Sequence, residues 1–110
     1  MLHIESDGTI KLTRGDTARL TVPITNELDS SEYVMDEEDI LTFTIKKTVK
    51  DADPLVQVTS KGNNQFYIAP DDTKPLAFGN YKYDVQLTTA AGDVYTVIEP
   101  SVFEVLPEVS

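Results

Sequence analysis

The sequence predicts an all-β sandwich of about eight antiparallel strands with no substantial helix. Three observations carry this. In residues 81–88, Tyr81, Tyr83, Val85 and Leu87 alternate with Lys82, Asp84, Gln86 and Thr88. A period of two is what a half-buried strand needs, because successive side chains leave opposite faces of the pleat. Short alternating stretches of the same kind recur along the chain with Gly, Pro, Asn and Asp between them. Residues 70–76, Pro-Asp-Asp-Thr-Lys-Pro-Leu, are too short and proline-rich for more than one helical turn.

Taken in order, residues 8–13 open the series, and Arg14-Gly15-Asp16 supplies a turn of the hairpin kind. There Gly15 provides positive φ and Asp16 can bond its own backbone. Ala18, Leu20, Val22 and Ile24 then alternate with Thr17, Arg19, Thr21 and Pro23. Because proline removes a ladder donor, Pro23 belongs at an edge or near a strand end. Residues 26–39 are polar, acidic and aperiodic, and read as a long solvated loop. Leu41, Phe43 and Ile45 mark the third strand, and residues 55–59 the fourth. Lys61-Gly62-Asn63-Asn64 reads as a hairpin-type turn into residues 65–68. After the crossing at 70–76, Gly79-Asn80 signals a turn into the strand at 81–89. Residues 94–98 form the next strand, Pro100-Ser101 breaks it, and residues 102–106 form the last. Phe43, Phe66, Tyr81 and Tyr83 fall on inward parities and are expected in the core, whereas Tyr33, Tyr67 and Tyr95 are candidates for a binding surface.

One domain is expected from 110 residues, with its core roughly over residues 8–106. A chain of this length buries roughly two-thirds of its unfolded surface, so it needs no staples. It has no cysteine to supply any, which excludes disulfides, thiolate metal sites and a cysteine nucleophile. Acidic residues outnumber basic ones 19 to 9, for a net charge of −10. A surface that negative repels phosphate backbones and anionic headgroups, so neither nucleic acid nor a membrane is an expected partner. No apolar run reaches the roughly 18 residues of a bilayer span. The N-terminus lacks a basic region and a continuous apolar stretch, and so reads as a chain made and folded in the cytoplasm.

Catalytic and metal chemistry find little support. The single histidine, His3, lies near the N-terminus with nothing evident to orient it. The acidic clusters Asp36-Glu37-Glu38-Asp39, Asp51 with Asp53, and Asp71-Asp72 are oxygen-rich, but none has the spacing of a calcium loop. They read as solvated loops, with Asp71 and Asp72 also suited to capping a helical turn. No enzyme activity, no cofactor and no metal site is therefore expected. Arg14-Gly15-Asp16 matches the integrin-binding tripeptide, although three residues recur by chance and a turn is needed there in any case.

The Gly79-x-Tyr81-x-Tyr83 spacing resembles the corner of immunoglobulin-like sandwiches, where a tyrosine hydroxyl ties the strand start to upstream backbone. Tyr81 would be that corner residue. Tyr83 would stand where antibody domains place a cysteine. More broadly, the chain resembles the N-terminal immunoglobulin-like domain of phage baseplate upper proteins. Gly15-Asp16-Thr17 opens an alternating strand, and Asp39-Ile40-Leu41-Thr42-Phe43-Thr44-Ile45-Lys46 follows the variable loop. Next come Ile68-Ala69-Pro70-Asp71-Asp72-Thr73, the closing stretch at 79–87, and Gly92-Asp93-Val94-Tyr95-Thr96. The resemblance implies an immunoglobulin-like β-sandwich serving as a structural module of a tailed phage or prophage, in a tail or baseplate. Its partners would be other phage structural subunits, a homo-oligomer being possible, and its place the virion. In this reading Gly15, Asp16, Gly79, Tyr81 and Tyr83 are structural residues. Such domains continue into longer chains, so this one is either a small stand-alone virion protein or an excised domain. The alternative, from a different class, is a bacterial cell-surface adhesin or carbohydrate-binding module.

Overall fold

Alternation of buried and exposed side chains organises most of the strands in the computed structural model, which describes residues 2–4, 8–24, 32–51 and 53–107. The strands are β1 (Leu2–Ile4), β2 (Ile10–Thr13), β3 (Ala18–Thr21), β4 (Ile40–Lys46), β5 (Val56–Lys61), β6 (Gln65–Ile68), β7 (Gly79–Thr88) and β8 (Val94–Leu106). One helical turn, α1 (Pro70–Thr73), precedes β7. Six strands form one sheet in the order β1-β2-β8-β7-β4-β5, and β3 pairs with β6 in a second. The protein is thus mostly β, with almost no helix.

The inward parities expected from the sequence hold. Leu41, Phe43 and Ile45 of β4 are buried, as are Tyr81, Tyr83, Val85 and Leu87 of β7. Ala18 and Leu20 of β3 meet them with Phe66 and Ile68 of β6, and burial continues past β3 through Val22 and Ile24. Pro23 sits exposed beyond the end of β3, where its missing N–H costs no ladder bond. Phe43 is the hinge of the core. Its ring stacks on Tyr83 at 5.1 Å and 19°, and meets Phe66 of the opposite sheet at 5.7 Å. Burying such a ring contributes roughly 1.5–3 kcal/mol, so the two sheets are held mainly by this apolar seam.

Four expectations need correction. The strands are not all antiparallel: β2 runs parallel to β8, with Ile10 opposite Phe103 and Leu12 opposite Val105. Pro100-Ser101 does not end a strand. β8 continues through it because the β7–β8 register slips by one residue between Tyr83 and Val85, and again between Val85 and Gln86. The two extra residues are bulges, and Pro100 falls in the first of them, where no ladder donor is required. The turns at Arg14-Gly15-Asp16 and at 61–64 are not hairpins, since β2 and β5 lie in the large sheet while β3 and β6 lie in the small one. Both are arches between layers. Finally, Gly79 is not in a turn but is the first residue of β7, paired with Val105. The eight strands also divide differently from the expected eight, because β1 is added and the last two expected strands are one.

Candidate interaction surfaces

Tyr81 and Tyr83 project from β7 into the core and anchor chain elsewhere. The Tyr81 hydroxyl donates to the Ala77 carbonyl at 2.7 Å, four residues upstream, as a tyrosine corner would. The Tyr83 hydroxyl donates to the carbonyl of Gly8, 75 residues away, and fixes the start of the series to the middle of β7. Near the start of β7 Gly15, at φ 84°, donates its N–H to Oγ1 of fully buried Thr73 at 2.9 Å. Asp16 donates its N–H to the Thr13 carbonyl at 3.1 Å, and the Arg14 guanidinium lies 4.6 Å over the Phe78 ring. The Arg-Gly-Asp tripeptide is therefore built into the β2–β3 arch.

One acid departs from the solvated reading. Asp39 is 1% exposed. Its carboxylate accepts from the Tyr33 hydroxyl at 2.6 Å, the Asp36 N–H at 3.0 Å and the Ala90 N–H at 2.9 Å. Those bonds, Tyr33's first, hold its carboxyl below the usual carboxylate range. The same contact, burial and the neighbouring charge push the Tyr33 phenol up to about 12. The Asp39 carbonyl also accepts from the Gly62 N–H at 2.8 Å. Gly62 has φ 77°, and a Cβ there would meet the Glu37 carbonyl oxygen at 3.2 Å, so glycine is required twice over. The other acids of the clusters noted in the sequence lie in loops or in the helical turn α1. Asp51 accepts from the Thr48 N–H at 3.0 Å, Asp72 accepts from the Ala69 N–H at 2.8 Å, and Asp71 lies 3.9 Å from Lys74. Among the described residues no group of three or more potential ligands is placed to hold a metal ion.

Among the described residues, large apolar side chains are exposed near both ends, and the outer face carries a depression. Val34, Val94 and Tyr95 are exposed near the Asp39 end, Tyr95 by 56%. Of the other tyrosines, Tyr67 is exposed beneath the Arg19 guanidinium at 5.2 Å, and Tyr33 is half-buried against Asp39. The side chain of His3 lies outside the described residues, although its backbone pairs with Lys11 in the β1–β2 ladder. At the other end, Val49 and Leu55 are exposed beside a depression of about 330 Å³. Thr44, Lys46, Gln57, Lys82, Asp84 and Gln86 form much of its lining, on the solvent face of β4, β5 and β7. Such a lining offers hydrogen bonds and positive charge, which are means of binding. Periodicity alone could not reveal it, because residues from three strands meet there only once the register is set.

Comparison with protein-family models, with characterised proteins and with solved structures finds no match to this chain.

Proposed function

We propose that the chain is an immunoglobulin-like assembly module of a tailed bacteriophage or prophage, a tail or baseplate component that acts through protein–protein contacts. The ordered motifs from Gly15-Asp16-Thr17 to Gly92-Asp93-Val94 are the basis for the phage assignment. The topology supports the immunoglobulin-like part. β2 runs parallel to the end of β8, β3 and β6 form the opposing layer, and the Tyr81–Ala77 bond sits at the entrance to β7. The observation that carries the contact function is the exposed apolar side chains gathered at both ends of a strongly acidic sandwich, Val34, Val94 and Tyr95 at one and Val49 and Leu55 at the other. Exposed apolar surface of this kind, rimmed by charge, marks sites of association. The partners are other structural subunits of the particle or further copies of the chain.

Mass spectrometry of particles purified after induction of the source strain tests the proposal. Stoichiometric recovery of this sequence, alone or within a longer chain, is the expected result. Recovery from the cell-wall fraction together with absence from intact particles overturns it in favour of a surface adhesin or carbohydrate-binding module.

A further inference from the structure

Lys46 and Lys82 are direct partners across β4 and β7, on the outer face of the large sheet. Like charges placed directly opposite in a ladder repel and cost stability. Among the described residues neither ammonium has a hydrogen-bond or ion-pair partner, although acids outnumber bases 19 to 9 in the chain. Lys47 and Lys61 do find partners. Lys61 pairs with Glu38 at 3.2 Å, and Lys47 donates to the Asn80 carbonyl while lying 4.7 Å over the Tyr81 ring. The unpaired two line the depression together, where Asp84 is the single carboxylate. Val49, Pro54 and Pro100 add an aliphatic part to the otherwise polar lining, and its one aromatic, Tyr83, is turned into the core.

We infer that this depression binds an acidic segment of a partner protein, one carboxylate seating between Lys46 and Lys82 while an adjacent apolar residue covers Val49 and Pro54. The inference rests on the assembly reading and names the chemistry of one partner surface. A carboxylate supplies the charge that the facing ammoniums lack, and the repulsion between them in the free protein is relieved on binding. The net charge of −10 does not forbid this, because fields are screened within about 8 Å at physiological salt, so the local pair governs the contact. An acidic sugar fits less well, since a pyranose face seeks an exposed aromatic ring and the lining has none. A stability cost kept at a surface position is what a binding function would explain.

The test is a titration of the isotopically labelled full chain with a synthetic peptide of alternating Glu and Val, followed by NMR at physiological salt. A Gln-Val peptide and a glucuronate oligosaccharide serve as comparisons. Amide shifts are expected at β4, β5 and β7 around residues 44–57 and 82–86, with the Glu-Val peptide alone. Lys82→Glu should weaken binding about tenfold and raise Tm, because it converts a like-charge pair into an opposite one. Equal response to the Gln-Val peptide, preference for the oligosaccharide, or unchanged binding by Lys82→Glu overturns the inference, as does a fall in Tm. If the chain is found in particles but the peptide does not bind, only this inference fails. If the peptide binds and the chain is absent from particles, the assembly reading fails on its own.

Discussion

The two ends of the molecule are each fastened around a buried polar side chain, but of opposite character. Where β4 begins and β7 stops, Asp39 gathers donors from Tyr33, Asp36 and Ala90, three points that are far apart or irregular in the chain. Where the chain arches from β2 to β3 and from α1 to β7, Thr73 accepts from Gly15, and Tyr81 bonds to Ala77. The buried hub of one end is a charge and that of the other a neutral hydroxyl. A carboxylate can serve several N–H and O–H donors at once, and each such bond is stronger than a neutral one. It also ties that end to pH. The difference teaches that loops with no ladder of their own can be ordered by one ionised side chain, whereas a short arch needs only a hydroxyl.

The largest effect should come from removing the charged hub. Asp39→Ala leaves a phenol and two backbone N–H groups without their acceptor, and Tm measured by calorimetry should fall on the order of 10 °C. The pH dependence follows from the direction of the shift. The folded carboxyl titrates below its ordinary value of 3.8, so its stabilisation is present above that value and is lost as pH falls through the lower folded one. Asp39→Asn should remove that part of the acid limb while leaving the neutral end intact. An acid limb unchanged in Asp39→Asn would mean that the carboxylate is not the hub.

At the neutral end the losses should be smaller. Thr73→Val keeps the volume of a fully buried side chain but deprives the Gly15 N–H of its acceptor, which should cost about 1–2 kcal/mol in denaturant melts. Tyr81→Phe removes a single neutral bond to Ala77, whose exposed residue lets water take the place of the hydroxyl. That change should cost about 1 kcal/mol or less. Neither variant removes a carboxylate, so neither should alter the acid limb, which is how the two ends are told apart.

Most of the core was legible, and Asp39 was not, for related reasons. Period-two alternation is imposed residue by residue, so Leu41, Phe43, Ile45, Tyr81 and Tyr83 declare their side of the sheet without any knowledge of partners. Asp39 shares the parity of Leu41 and Phe43, which is the signal that could have found it. Its position at the end of Asp36-Glu37-Glu38 masked that signal, because a run of acids reads as solvent-facing. Connections were less legible than strands. A glycine at positive φ serves an arch as well as a hairpin, so Gly15 and Gly62 mark a reversal without saying which sheet follows. Pro100 misled for a third reason. Two bulges moved it out of the ladder, and bulges depend on how β7 and β8 pair rather than on either strand alone. The Lys46–Lys82 pair belongs to the same class, since each lysine is unremarkable until the register of β4 and β7 sets them face to face.

The smallest effect, and the finest test of the comparison, lies at alkaline pH. The Tyr33 phenol is raised to about 12 because it donates to the Asp39 carboxylate, with burial and the negative charge of Asp39 and Asp36 adding to that bond. A folded value above the ordinary 10.0 means that the folded state holds a proton the unfolded chain releases. The stabilisation is therefore complete below about 10 and is lost as pH rises through about 12. Tyr33 is half-buried, so solvent screens the pair and the loss should be modest beside that of Asp39→Ala. Spectrophotometric titration of the tyrosines should show a late ionisation to which Tyr33 contributes, and Tyr33→Phe should remove that contribution and flatten the matching limb of the stability curve. A tyrosine titration unchanged in Tyr33→Phe would mean that its phenol is not the one held by Asp39.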